Sequence, residues 1–222
     1  MTIKSPAQRL TAVQDRIIAA CARVGRLVDE VQLVAVSKGH DVAAIKQLYD
    51  LGVRDFGESY VQEWEEKRDQ LPEDIRWHFI GRLQSNKARF LVDKVHRIHS
   101  VDRLSVARKL DRRGQGRQAV LLQVNLGEEG TKGGVLLEAV AALRDAVDAL
   151  EGVVVVGLMG IPPFFDDPEE ARPLFADLRE AAKSLGLREL SMGMTNDLEV
   201  AVEEGATMVR VGTALFGPRS YA

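Results

Sequence analysis

The chain has 222 residues, 45% of them hydrophobic, enough to bury a full-sized core as one domain or at most two small ones. Its formal net charge is −3 with no long block of like charge, so nucleic acid has no electrostatic footprint to bind; its one cysteine, Cys21, excludes an intrachain disulfide framework and any cysteine-rich metal site. The opening "MTIKSPAQRL" lacks the apolar run of a signal peptide, and no stretch nears the about eighteen apolar residues of a membrane span, so the expectation is a soluble protein of a reducing cytoplasm.

In chain order, a helix period covers 6–27, within an N-terminal segment (1–30) expected to pack on the rest. Short apolar runs then recur: "LVAVSK" at 33, "VRDFGES" at 53, "RWHFIG" at 76, "VHRIHSVD" at 95, "AVLLQVNL" at 119, "VVVVGLM" at 153, "LRELSMGM" at 187 and "TMVRVGTALFG" at 207. Helix-period segments such as 135–150 and 169–185 lie between them. Near-continuous hydrophobic strands separated by amphipathic helices predict parallel pairing with both sheet faces covered. An open doubly wound sheet and a closed barrel both meet that description. Eight strands, a length near the usual ~250 residues and no G-x-G-x-x-G after the first strand favour the α/β fold of a single (β/α)8 TIM barrel over 1–222.

In such a barrel the chemistry sits where strands end and βα loops begin. The first strand ends on Lys38, the second on "GES" (57–59), the seventh on "MGMTND" (192–197) and the eighth on "VRVGT" (209–213). Alternation in "MVRVG" sets Val209 and Val211 on one face and Met208, Arg210 and Gly212 on the other. Valines suit the helix side, which leaves Arg210 inside, where a guanidinium keeps its charge and needs an acceptor. One acceptor is Glu58, in an internal salt bridge. The other is a bound anion: Gly212 and Thr213 follow directly, and Gly193, Thr195 and Asn196 precede a helix period, which together are the glycine, hydroxyl and helix-start ingredients of a phosphate cup. Helix capping by Thr195 or Asn196, with Glu199 closing a capping box, accounts for the second group but not for the first. Closing the barrel sets the first strand beside the eighth, so Lys38 and Arg210 face one pocket. A partly desolvated lysine near another cation becomes a nucleophilic amine. An amine, an inward arginine and a phosphate cup match the aldehyde, ring nitrogen and phosphate of pyridoxal 5′-phosphate.

The stretches "LVAVSK", "DFGESYVQE", "WHFIGRLQSNK", "GLMGIPP" and "MGMTNDLEVAVEEGATMVRVGTALFG", in that order over about 31–220, resemble the pyridoxal phosphate homeostasis proteins, a family related to the barrel domain of bacterial alanine racemase. The resemblance implies Lys38 as the Schiff-base lysine, Arg210 facing the pyridine nitrogen, and Thr195, Gly212 and Thr213 as phosphate ligands. It also implies Ser59, His78 and Met159 as pocket lining, and matches Lys132 in "EEGTKGG" to a flexible-loop lysine proposed as a secondary cofactor contact. The chain departs from the family in "SKGHD" for "SKTKP", which sets His40 and Asp41 in place of a lysine and a proline. It departs again in "GES" for "GEN", with Ser59 in place of an asparagine, whereas Thr195 keeps the hydroxyl of a serine.

The implied function is that of a non-catalytic binder that holds pyridoxal phosphate as an internal aldimine and buffers or delivers it to pyridoxal-phosphate-dependent apo-enzymes. The implied setting is a cytoplasmic monomer acting without nucleic acid, membrane or metal. Chemistry points the same way: an arginine at the ring nitrogen does not give up its proton, so it holds the pyridine unprotonated and weakens the electron sink. Tyr60, His78 and Tyr221 are the candidate acids or bases. The alternatives are a pyridoxal-phosphate-dependent amino-acid racemase or lyase, and a barrel enzyme acting on a phosphorylated sugar without cofactor. The segment "IPPFFDDPEEARPLF" (161–175) reads as a stiff loop over the mouth, as a lid or as plain packing. His96 and His99, three apart in a strand pattern, point to opposite faces and do not chelate together.

Overall fold

The computed structural model describes residues 4–111, 116–127 and 133–217. Within them the strands β1 (Gln32–Val36), β2 (Asp55–Glu58), β3 (Arg76–Phe79), β4 (Arg97–Val101), β5 (Gln118–Asn125), β6 (Val153–Ile161), β7 (Glu189–Ser191) and β8 (Met208–Val211) close into one parallel barrel in sequence order. The seam is the β1–β8 pairing, with Val34 opposite Arg210 and Ala35 opposite Val211. Lys38 and Thr213, a few residues beyond, therefore emerge at the same rim.

The helices are α1 (Pro6–Arg23), α2 (Val42–Asp50), α3 (Val61–Arg68), α4 (Ala88–Leu91), α5 (Leu104–Asp111), α6 (Val140–Asp148), α7 (Arg172–Ser184), α8 (Leu198–Glu203) and α9 (Thr213–Phe216). A capping box between Ser5 and Gln8 and a proline at the first position start α1. The helix stops at Arg23, short of the expected 27, because Gly25 turns the chain at φ +68°, a left-handed conformation that glycine adopts freely. Leu10, Val13, Ile17 and Ala20, at helical spacing, bury its inner face, and α1 lies across α8 and α9.

The core has two layers. Between strands and helices pack residues such as Phe56, Trp64, Ile98, Phe175, Leu198, Val209 and Val211, each worth about 1.5–3 kcal/mol when fully buried. Inside the barrel a smaller apolar cluster joins Val34, Leu121, Met159 and Met208. The alternation expected for β8 is thus present, with Met208 inside and both valines against the helices. The rest of the interior is polar. His99 on β4 is fully buried, whereas His96 is exposed, so the two do not share a face. Among the described residues no helix is long and apolar enough to cross a membrane, and no cluster of three or more His, Cys, Asp or Glu could hold a metal ion.

Candidate functional site

The loop that carries Lys38 is tied down on both sides of it. Ser37 donates from Oγ to Glu58 Oε1 at 2.7 Å, and its carbonyl accepts from Lys67 Nζ at 2.9 Å. Lys67 also donates to Glu58 Oε1 and Glu63 Oε1, both at 2.7 Å, and Glu63 accepts the Gly39 N–H at 2.5 Å. Gly39 takes φ +74°, which a side chain would strain. Glu58 and Lys67 are 1% and 7% exposed. Burial holds the Glu58 carboxyl above the usual carboxylate range despite the pull of Lys67 and Ser37. Glu58 is therefore not the partner of Arg210: it faces out of the barrel, where α3 brings Lys67 to it. The replaced residues beside Lys38 have local work, since His40 stacks on Phe216 of α9 with ring centroids 4.6 Å apart and Asp41 caps α2 through Ala44 N–H at 2.8 Å.

Arg210 is 3% exposed and points into the barrel. Its guanidinium donates to Ser191 Oγ at 2.7 Å and to the Gly160 carbonyl at 3.0 Å, two of its five N–H donors, and hydrogen-bonds to no carboxylate among the described residues. Burial draws its pKa down to about 10, partly offset by the charge of Asp197, so it stays protonated at neutral pH. Behind it, Ser191 Oγ lies 2.8 Å from His99 Nδ1, His99 Nε2 lies 2.9 Å from His78 Nδ1, and His78 Nε2 lies 3.0 Å from Asp55 Oδ1. His78, expected to line the pocket, is instead 1% exposed inside this polar row. Met159, expected to do the same, packs with Val34, Leu121 and Met208. Neither residue borders the cavity at the mouth, because alternation and strand tilt set both in deeper layers of the barrel.

The loops after β7 and β8 form the opposite wall. Gly193 adopts φ +88°, and Met194 N–H donates to Asp197 Oδ1 at 2.6 Å. The expected capping box does not form. Asp197 holds the N-cap position of α8 without a side-chain cap bond, Glu199 pairs with Arg16 of α1 at 2.5 Å, and Asn196 Nδ2 donates to the Phe165 carbonyl at 3.1 Å. Arg16 also donates to the Thr195 carbonyl at 2.8 Å, and Arg9 to the Leu215 carbonyl at 2.6 Å, so α1 braces both loops. A Cβ on Gly212 would stand 3.3 Å from the Val36 carbonyl oxygen, a fit that favours glycine. No side-chain hydrogen bond occupies the hydroxyls of Thr195 and Thr213 among the described residues.

Lys38, Ser59, Thr195, Arg210, Gly212 and Thr213 line one cavity of about 300 Å³ at the mouth. The structure brings together the amine, the guanidinium and the cup residues expected from the sequence. Through Lys38 and Ser59 this cavity adjoins a wider depression of about 500 Å³ bordered by Tyr60, Arg82 and Lys87. Tyr60, before α3, is 63% exposed. The proline-rich segment flanks the mouth: Pro162, Pro163, Phe164 and Phe165 line a neighbouring apolar pocket, with Phe164 80% exposed. Lys132 and Tyr221 lie outside the described residues. Sequence reasoning passed over Asp55, Ser191, Lys67, Arg9 and Arg16, and weighed His99 only as a metal ligand. For Asp55, His99 and Ser191 a signal existed, since polar residues at inward positions of otherwise apolar strands need partners.

A profile of the alanine racemase N-terminal domain matches residues 12–220. The chain is 45% identical to the pyridoxal phosphate homeostasis protein of Aquifex aeolicus, covering 96% of this chain and 98% of that one. It is 43% identical to the protein of the same description from Pseudomonas aeruginosa, over 97% and 96%. Among solved structures it is similar to PipY of Synechococcus elongatus, determined with pyridoxal phosphate bound, at a TM-score of 0.80 and 39% identity over 92% of this chain and all of that one.

Proposed function

The chain belongs to the pyridoxal phosphate homeostasis protein family, and from that premise we propose that it binds pyridoxal 5′-phosphate in the mouth cavity and acts in its homeostasis as a carrier rather than a catalyst. The observation that carries this reading is the single cavity shared by Lys38, Arg210, Thr195, Gly212 and Thr213. The residues present fit the cofactor. A buried guanidinium with N–H donors left over among the described residues suits an uncharged ring nitrogen, two hydroxyls without a side-chain partner among those residues and a close backbone suit a phosphate, and a half-buried lysine suits an aldehyde. When bound, pyridoxal phosphate supplies an aldehyde carbon for condensation with an amine and an electron-withdrawing ring.

In this reading Lys38 is the amine that takes the aldehyde, Arg210 meets the ring nitrogen, Thr195, Gly212 and Thr213 hold the phosphate, and Ser59 borders the ring. Arg210 keeps its proton and so keeps the ring nitrogen unprotonated, which disfavours carbanion chemistry. His78 is committed to interior partners on both ring nitrogens and Tyr60 faces solvent, so neither supports a role as acid or base at the ring. The reading extends to a cytoplasmic monomer that passes the cofactor to apo-enzymes.

The test is borohydride reduction of the yellow, loaded protein followed by peptide mass spectrometry, with amino acids offered in deuterated water in parallel. The expected result is cofactor fixed on Lys38, none on the Lys38→Ala variant, and no sustained α-proton exchange. Sustained exchange with any amino acid would replace the carrier reading by a racemase or lyase.

A further inference from the structure

Five groups on five strands form one hydrogen-bonded row across the barrel interior. It starts at Asp55 on β2, 5% exposed, whose two oxygens accept from Arg76 at 2.8 and 2.5 Å. It runs through His78 on β3, His99 on β4 and Ser191 on β7 and ends at Arg210 on β8. Every group between the two ends is 1% exposed or less.

With both imidazoles neutral and the Asp55 carboxyl ionised, only one arrangement of hydrogens satisfies the row. A carboxylate can only accept, so His78 carries its hydrogen on Nε2 and offers Nδ1 as acceptor. His99 then donates from Nε2 and accepts on Nδ1, so the Ser191 hydroxyl donates to His99. That leaves the Ser191 oxygen lone pairs for Arg210, which can only donate. In this arrangement a proton added to His78 Nδ1 would face the His99 N–H, and one added to His99 Nδ1 would turn the Ser191 hydrogen away. Burial, the largest influence on both rings, keeps them neutral, with His99 held well below the ordinary value of 6.5. Burial alone would raise the Asp55 carboxyl, but the hydrogen bonds from Arg76, His78 and Gln32 outweigh it and hold the group ionised.

Each dipole in the row therefore turns its acceptor end toward Arg210, and the one charged acceptor lies at the far end. We propose that Asp55, His78, His99 and Ser191 are positioning residues for the cofactor: the row, anchored where Asp55 pairs with Arg76, turns a neutral acceptor toward Arg210 and fixes which guanidinium N–H groups face the ring nitrogen. A directly bonded carboxylate would instead occupy those donors and cancel their charge. This inference rests on the carrier reading for its ligand, but not for the row itself.

The first arm of the test is ¹⁵N NMR of the histidines in cofactor-free wild-type protein at neutral pH. Both imidazoles are expected neutral with hydrogen on Nε2; hydrogen on Nδ1 in either, or a charged ring, overturns the proposal. The second arm loads wild type and the variants Ser191→Ala, Ser191→Thr, His99→Phe and Leu121→Val with pyridoxal phosphate. Because a hydrogen bond to a charged group is lost, Ser191→Ala and His99→Phe are expected to release cofactor about tenfold faster and to shift the absorbance of the bound form, with Ser191→Thr restoring both. Leu121→Val, in the apolar part of the same interior, lowers stability without moving the absorbance. Unchanged spectra and release rates in Ser191→Ala and His99→Phe overturn the proposal. Failure of wild type to take up cofactor overturns the carrier reading, while the NMR arm still decides the row.

Discussion

At the Lys38 end of the cavity the buried cation Lys67 touches two carboxylates, whereas at the other end the buried cation Arg210 touches none among the described residues. Lys67 spends its donors on Glu58, Glu63 and the Ser37 carbonyl, and the result is a rigid seat for the loop that bears Lys38. Arg210 is held by a hydroxyl and a carbonyl, at the end of a row of neutral groups that starts where Asp55 pairs with Arg76. A cation that only holds a loop is best matched by contact. One that meets a ligand has to be balanced without being consumed, and a row of neutral dipoles does that at the cost of burying five polar groups in one connected network.

The most severe break of this contrast is Lys67→Met, which leaves Glu58 buried and unpaired. It is expected to lower the unfolding free energy by about 3–5 kcal/mol in urea titrations, with Glu58→Gln in the same chain recovering part of it. A smaller loss would mean that the contact cluster seats the loop without stabilising the fold.

Acid separates the two ends next. Unfolded imidazoles take up protons near 6.5, while His78 and His99 in the fold resist until lower pH, so the unfolded state binds more protons below that value. Stability is fully present above 6.5 and is lost as pH falls below it, by about 2 kcal/mol between about pH 7 and about pH 5 for each ring that stays neutral. Denaturant midpoints across that range are expected to fall less steeply in a His78→Phe/His99→Phe double variant, which keeps the part due to His96, itself drawn down to about 4 by burial; an equally steep wild type and variant would assign the loss elsewhere.

The brace from α1 sharpens the comparison on the phosphate side. Arg16→Ala removes a partly exposed pair with Glu199 and the bond to the Thr195 carbonyl, so about 0.5–1 kcal/mol of stability is expected to go, with cofactor release several-fold faster in stopped-flow chase. The smallest effect is expected from His40→Ala, which removes the stack on Phe216 that joins the Lys38 loop to α9. About 0.5 kcal/mol corresponds to a thermal midpoint lower by about 1–2 °C in calorimetry.

By itself the sequence determined the alternation of eight strands with helices, the inward turn of Arg210, and Lys38 at a strand end beside a glycine-threonine cup. These follow from local periodicity and from closure of the barrel, both of which are written along the chain. What tertiary structure decided is which polar groups meet. Asp55 and Glu58 lie three apart in one short strand, so a shift of one residue in the strand's assumed facing exchanges their sides; only the packing of α3 and the register with β3 send Glu58 to Lys67 and Asp55 to His78. The resemblance offers His78 and Met159 as pocket lining, but their depth depends on strand tilt, which no single strand encodes. The row from Asp55 to Arg210 draws on five strands spread over more than 150 positions, and such a network exists only once the barrel has closed and the hydrogen-bonding capacity of every buried group has to be met inside it.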